Sequence, residues 1–360
     1  MKSLISLCAL LPLLFTQAAQ PNLIVILADD LGWSDLGCYG NTFNETPHLD
    51  RLASEGMRFT QAYAGAVCSP TRANLQSGQD QARFGITQHI PGHRRPYARL
   101  KDPTVPLQLP LEVETFAERL AASGYHTGYY GKWHLGGAGF GPKEQGWQEA
   151  LELHGNTQPP DVTGSSETRR TAEFLTEKAV SFIEKHKSQP FLLQVSHCAV
   201  HIPLSTRPEL KTKYEQKTPM PGYPSLPEYA GLLEDLDQSM GRIAQAVDRA
   251  GIGPNTSIVF LSDNGGLEHD QSDRIVTSNK PLRGEKGTLY EGGIRVPMIV
   301  RWTGQIAAKS ECETPVISYD LYPTYMELAA VKSGAKQPQD GLSIAALLKN
   351  PTAGLSRDRL

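Results

Sequence analysis

The stretch Asn22-Leu23-Ile24-Val25-Ile26-Leu27-Ala28 is almost wholly apolar, and it ends abruptly at Asp29-Asp30-Leu31-Gly32. It has no polar alternation and is rich in branched side chains. That pattern suits a short strand covered on both faces, as strands of a parallel sheet are. Three further runs read the same way: 191–195 (FLLQV), 257–261 (SIVFL) and, with less support, 298–300 (MIV). Residues 127–130 (TGYY) supply another candidate strand.

Helical periods lie between these runs. Val113, Phe116, Ala117 and Leu120 share one face, as do Leu175, Ala179, Phe182 and Ile183. The clearest set is Tyr229, Leu232, Leu233, Leu236, Met240, Ile243 and Val247, with Glu234, Asp235 and Asp237 turned away. Strands alternating with helices predict an α/β fold, with a doubly wound, mostly parallel central sheet flanked by helices. Segments 79–111 (with His89, His93, Arg94 and Arg95), 136–164 and 205–227 lack a clear period and read as long loops, plain surface or substrate-recognising.

A chain of 360 residues with 39% hydrophobic and 20% charged residues can bury a sizeable core. Its net charge of −3 leaves no basic excess for nucleic acid. Lys2, the apolar run 4–15 and the small residues Thr16, Ala18 and Ala19 form the charged, apolar and small-residue pattern of a secretory signal peptide. The run is too short to span a bilayer, which takes about 20 residues, and no other stretch is long enough for a transmembrane segment. A secreted or periplasmic location follows, with residues 1–20 removed. Cys8 leaves with the signal, and Cys38, Cys68, Cys198 and Cys312 remain, none in a CxxC pair.

Ligands of open parallel sheets bind beyond the carboxyl ends of the strands. Four such ends carry polar clusters: Asp29-Asp30, Lys132-Trp133-His134, His197 to His201, and Asp263-Asn264. Asp29, Asp30, Asp263 and Asn264 offer oxygen ligands, the set preferred by hard divalent cations and by calcium above all. Taken singly, Asp29-Asp30 also reads as a helix N-cap and Asp263-Asn264-Gly265 as a turn. Lys132, His134, His201 and Lys286 would add positive charge and proton donors for an anionic ester. His134 beside Trp133 also suits a packed core histidine, and His197 is the weaker of the two histidines after the third strand end.

Cys68-Ser69-Pro70-Thr71-Arg72 is the most specific signal. Three residues separate Cys68 from Arg72, where a tyrosine-phosphatase loop needs five. On its own it is a cysteine at the mouth of a helix that Pro70 helps to start, or a small buried cysteine in a turn. Together with Gly78, the stretch Gly124-Tyr125 to Gly136, the opening stretch from Pro21 to Gly32 and the stretch from Arg283 to Pro297, it resembles the formylglycine-dependent sulfatases of the alkaline phosphatase superfamily.

That resemblance spans residues 21 to about 330 and implies an alkaline phosphatase-like fold and a sulfuric ester hydrolase. Cys68 would be oxidised to formylglycine by a formylglycine-generating or maturase enzyme. The hydrated aldehyde would attack sulfur with one hydroxyl and expel sulfate with the other. One calcium ion would be held by Asp29, Asp30, Asp263, Asn264 and the modified Cys68. Arg72 and Lys132 would hold the formylglycine and neutralise sulfate, with His134 the base on the diol. His201 and Lys286 would contact sulfate, with His201 the acid for the leaving oxygen. The substrate would be a sulfated small molecule or glycan, a carbohydrate sulfate by the family's usual targets.

Residues 21–335 would form the catalytic domain, and 336–360 the incomplete start of a smaller C-terminal subdomain. Gly146-Trp147-Gln148 stands where family members often have G-F-D, a departure expected to touch substrate contacts. Three alternatives stay open: a phosphodiesterase or phosphonate monoester hydrolase of the same superfamily, a zinc-dependent phosphatase, and a non-catalytic sulfated-glycan binding protein.

Overall fold

The protein is described by a computed structural model covering residues 20–92, 97–331 and 334–358. The signal sequence, Cys8, His93, Arg94 and Arg95 lie outside the described residues. The strands are β1 (Asn22–Ala28), β2 (Met57–Tyr63), β3 (His126–Gly131), β4 (Glu149–Glu152), β5 (Thr157–Gln158), β6 (Arg169–Arg170), β7 (Phe191–Ser196), β8 (Thr256–Ser262), β9 (Arg295–Arg301), β10 (Ser310–Cys312) and β11 (Val316–Ile317). The α-helices among the described residues are α1 (Pro47–Ser54), α2 (Cys68–Ser77), α3 (Phe116–Ala122), α4 (Pro160–Thr163), α5 (Thr171–His186), α6 (Pro208–Glu215), α7 (Pro227–Arg249), α8 (Glu291–Ile294), α9 (Leu321–Leu328) and α10 (Ala345–Lys349). None of these helices is long and apolar enough to cross a membrane.

Among the described residues, nine strands form one sheet in the order β10-β2-β9-β8-β1-β7-β3-β4, with β11 also paired to β2. β1 sits between β7 and β8, parallel to both, with Ile24 opposite Leu193 and Ile258. β3 continues the parallel array beyond β7. The array turns antiparallel where β9 inserts between β8 and β2.

Every residue of β1 is buried, because successive side chains enter opposite cores. Leu23, Val25 and Leu27 join the cluster that holds Ala73 and Leu75 of α2, Phe116 of α3 and Tyr322 of α9. Ile24, Ile26 and Ala28 join Leu49 of α1, Phe182 of α5 and Leu236 of α7. The expected doubly wound architecture is therefore present, with helices on both faces of a mostly parallel sheet.

Several details differ from the sequence expectation for local physical reasons. β2 was hidden because its apolar positions slip out of alternation, and its register against β9 shifts between Phe59 and Ala62. Val113 lies before α3, which begins after Thr115. There the Thr115 hydroxyl accepts the Glu118 N–H while the Glu118 carboxylate accepts the Thr115 N–H, a capping box. The segment 136–164 contains β4, β5 and α4, and 205–227 contains α6.

Trp147 falls in the core instead of at a substrate contact. It packs edge-on against Phe116 with ring centroids 5.6 Å apart, and its indole N–H donates to Gln76 at 3.3 Å. α1 is docked by a long-range cap: the Asp237 carboxylate on α7 accepts the N–H groups of His48 (3.1 Å) and Leu49 (2.8 Å).

Leu236 lies on α7, fully buried against the β1 side of the sheet. Leu236→Ala removes packed volume that the surrounding strands cannot refill. We expect a loss of about 2–5 kcal/mol. In urea unfolding, the midpoint should fall with little change in slope.

Candidate active site

β8, β1, β7 and β3 are neighbours in the sheet, so the four polar clusters that follow them meet at one edge. Backbone contacts lock the strand ends together. The Asp29 N–H donates to the Ala199 carbonyl (2.9 Å), the Val200 N–H to the Asp29 carbonyl (2.7 Å), and the Asp263 N–H to the Ala28 carbonyl (3.0 Å). Gly131 adopts a φ of 117°, and a Cβ there would lie 1.9 Å from the Ser196 carbonyl oxygen. Only glycine lets the chain pass this close to β7 before it turns into Lys132.

α2 is buried along its whole length, so each of its polar side chains needs a partner. Gln76 donates to Gln194 at 2.9 Å, and the Ser69 hydroxyl donates to the His134 carbonyl at 2.9 Å. Arg72 donates to Asp263 through Nε (3.1 Å) and Nη2 (2.7 Å), and through Nη1 to the Lys132 carbonyl (2.5 Å). This holds the helix by one charged side chain and places Cys68, its first residue, at the sheet edge.

Three carboxylates and three cations are interleaved here. Lys132 Nζ lies 2.5 Å from Asp29 Oδ2, and Arg72 lies 3.8 Å from the same oxygen. Lys286 Nζ contacts both Asp30 oxygens, at 2.7 and 2.8 Å. Asp263 Oδ1 accepts the Asp30 N–H at 3.2 Å. Asp30 itself has a φ of 65°, so the turn that carries the second acid is strained in a non-glycine residue. His201 Nε2 lies 3.6 Å from Asp30 Oδ2, while its Nδ1 donates to the Ile202 carbonyl.

These contacts set the protonation states. Burial opposes ionisation of Asp29, but Lys132, His201, Arg72 and Lys286 together hold its carboxyl well below the usual range. Asp263 is pushed up to about 6 by burial and by the neighbouring Asp29 charge. Asp29 is thus the member of the pair that keeps its charge to lower pH. Burial also disfavours the charges of Lys132 and Lys286, yet Asp29 raises Lys132, and Asp30 with Asp29 raises Lys286, above the ordinary lysine value. His134 is lowered to about 3 by burial and by Lys132. Burial pushes the Cys68 thiol up to about 12.

All the residues expected at the site are in this region, in two groups. Asp29, Asp30, Cys68 and His201 each offer a ligand atom within 4.8 Å of the others. Asp263 turns one oxygen to Arg72 and the other to the Asp30 N–H. The Asn264 amide N–H donates to Asp30 at 2.8 Å. Asp29 Oδ1 and Asn264 Oδ1 are buried with no hydrogen-bond partner. Two orphaned buried oxygens beside further carboxylates fit a hard cation that takes oxygen ligands. His197 is buried against the Ser239 hydroxyl at 3.2 Å and stays out of the cavity wall.

Cys68, Lys132, His134, His201 and Lys286 line a cavity of about 820 Å³, while Arg72 lies behind its wall. His89, His269, Asp270 and Glu285 line it as well. Asp35 was not singled out by its sequence context. It is fully buried and accepts from the Gly32 N–H (2.7 Å) and the hydroxyls of Tyr229 (2.5 Å), Thr277 (2.7 Å) and Tyr223 (3.0 Å). It thereby ties the turn after Asp29-Asp30 to α7 and to the segment around residue 277. Its spacing after Gly32 was the available signal, but a lone acid in a turn carries little information.

The fold and this edge define a class: alkaline phosphatase-like hydrolases with a charged pocket at the strand ends. A family model described as Sulfatase matches residues 21–331, and the chain belongs to the sulfatase family. It is an enzyme that hydrolyses sulfate esters. A sulfatase of Formosa agariphila is 30% identical, covering 92% of this chain and 72% of the relative. N-acetylgalactosamine-6-sulfatase of Mus musculus is 31% identical, covering 95% and 69%. The crystal structure of Ps i-CgsB in complex with k-i-k-neocarrahexaose superposes with a TM-score of 0.77 at 29% identity, covering 92% of this chain and 77% of that one.

Arg72→Met strips Asp263 of its buried counter-charge. We expect a loss of about 3–5 kcal/mol, as for a buried ion pair broken from one side. A lowered urea midpoint would register it, and an unchanged midpoint would show that Arg72 does not carry the site.

Proposed function

We propose that this sulfatase hydrolyses sulfate esters of carbohydrates, using a formylglycine made from Cys68 and one bound calcium ion. The carrying observation is the pair of orphaned oxygens on Asp29 and Asn264: Asp29 is grouped with Asp30 and Cys68, and Asn264 is bonded to Asp30. Without an ion, the charges of Asp29, Asp30 and Asp263 balance those of Arg72, Lys132 and Lys286. Such a pocket has little net attraction for an anion. A bound divalent cation would make it positive and add a charge against the sulfate oxygens. Asp29, Asp30, Asp263, Asn264 and the modified Cys68 would hold it.

The thiol of Cys68 stands where the aldehyde hydrate would stand. Burial raises its pKa to about 12, so the unmodified thiol is a poor thiolate nucleophile at neutral pH. The proposed conversion calls for a maturase enzyme of the formylglycine-generating kind as partner during export. His134 is suited to take a proton from the hydrate. Its Nε2 is committed to the Ile90 carbonyl at 2.7 Å, its Nδ1 is buried without a partner, and its lowered pKa keeps the ring neutral. Lys132 and Lys286 would neutralise sulfate, with Arg72 bracing Lys132 through its carbonyl. The Nδ1–H of His201 is spent on the Ile202 carbonyl, so Nε2 would give a proton to the departing alcohol oxygen only from the doubly protonated imidazolium, which faces Asp30 at 3.6 Å.

The carbohydrate class is favoured by the size of the cavity and by relatives whose printed names carry sugars. Secretion or periplasmic export, with removal of residues 1–20, fits the Lys2 and apolar pattern.

Mass spectrometry of the exported protein should find an aldehyde in place of the thiol in the Cys68 peptide. Cys68→Ala should abolish turnover of an aryl sulfate. Fully active enzyme with an intact thiol would sink the proposal, and so would a phosphate diester turned over in preference to the sulfate.

Removing calcium with a chelator should lower both activity and thermal stability. The stability change is about 2.7 kcal/mol when the ion stands at one hundred times its dissociation constant. It should be recovered with calcium and be absent in Asp29→Ala. A melting temperature indifferent to calcium would argue against the ion.

A further inference from the structure

Glu285 and Lys286 are neighbours in sequence but serve different parts of the cavity. Lys286 grips Asp30 at the floor. Glu285 turns to the wall and holds a short hairpin there. Its Oε2 accepts the N–H groups of Glu268 (2.6 Å) and His269 (3.1 Å), and its Oε1 lies 3.3 Å from His269 Nδ1. The hairpin is closed by the Val276 N–H donating to the Glu268 carbonyl (2.7 Å) and the Asp270 N–H donating to the Arg274 carbonyl (3.0 Å). His269 and Asp270 both line the cavity that contains Cys68.

Pairing with a carboxylate puts the imidazole proton of His269 on Nδ1, which leaves Nε2 as a free hydrogen-bonding atom on a half-exposed ring. Gln271 and Thr288 add neutral hydrogen-bonding groups to the same wall. A cavity of about 820 Å³ holds far more than a sulfate group, so this wall meets the alcohol part of the ester. Hydroxyl-bearing rings satisfy such a wall. A flat aryl group or a hydrocarbon ring system would strand its polar groups without partners.

We propose that His269, oriented by Glu285, is the specificity-determining contact of this enzyme and selects a polyhydroxylated alcohol at the scissile ester. The inference rests on the sulfate ester activity proposed above. It adds a residue that reads the leaving group, with Glu285 as the positioning residue behind it. Because Glu285 adjoins Lys286, sugar recognition and the charged floor are set by one short segment.

The test uses the full-length, matured, calcium-loaded enzyme, with nitrophenyl sulfate and a panel of monosulfated galactoses, glucoses and N-acetylgalactosamines. The wild type should prefer a sulfated sugar in kcat/KM. His269→Ala should lower that preference, the ratio of sugar to nitrophenyl sulfate kcat/KM, by about tenfold or more, the worth of one well-placed hydrogen bond. Glu285→Gln should lower it less, and His269→Gln, which keeps a hydrogen-bonding group, should restore part of it. The melting temperature of the exposed His269 variants should stay unchanged.

A ratio unaltered by His269→Ala overturns the inference. So does a wild type that turns over nitrophenyl sulfate but no sugar in the panel. A wild type inactive on every sulfate ester would instead overturn the proposed function beneath it.

Discussion

Asp29, Asp30 and Asp263 are buried with Arg72, Lys132 and Lys286 beyond the ends of four adjoining strands, and neither set is tolerable there without the other. A buried charge costs several kcal/mol unless it is paired and hydrogen-bonded. The pairing is distributed. Asp29 is matched by Lys132, Asp263 by Arg72, and Asp30 by Lys286, which arrive from a strand end, a helix and a loop far apart in sequence. Closing this network requires β8, β1, β7 and β3 to lie side by side, so sheet order and site are one constraint. The network also explains why a helix as polar as α2 is buried throughout: Arg72 draws it in, and Cys68 is carried to the cavity with it.

Behind the network lies a neutralising support without cations. Asp35 is buried among four donors, two of them tyrosine hydroxyls, and burial raises its pKa above the ordinary value. Its role is geometric. Holding the Gly32 N–H fixes the turn in which Asp30 takes a positive φ, and a strained residue persists only when its surroundings over-determine it. Ser262 contributes from the other side by accepting the Leu31 N–H at 3.0 Å. The acid pair is thus held from α7, from β8 and from the segment around Thr277 at once.

How much of this was legible in the sequence depends on whether a residue acts locally or through closure of the fold. The boundaries of β1 could be read directly, because a strand buried on both faces has a one-dimensional signature that ends at the first charge. The strand-end clusters were legible for a similar reason: the rule that ligands sit beyond parallel strands turns positions into a place. β2 was not, because a bulge breaks its alternation. Trp147 looked like a variable contact near the site, but its edge-on packing against Phe116 and its bond to Gln76 arise only once α2 and α3 share a face. Asp35, His269 and Glu285 were missed as a group, since each works through partners that no local pattern connects to it.

The burial that builds the site also limits what its central residue can do unmodified. Enzymes that use a cysteine thiolate lower its pKa with nearby positive charge and partial exposure. Cys68 has Lys132 and Lys286 close by, yet burial and the charges of Asp29 and Asp263 outweigh them and push the thiol up to about 12. The same carboxylates that suit the site to a cation make it hostile to a thiolate. A neutral oxygen nucleophile bears no such penalty until it loses its proton, and a bound cation would then stabilise the charge that forms. The burial and the carboxylates that leave the Asp29 and Asn264 oxygens orphaned are thus the same features that raise the pKa of the Cys68 thiol.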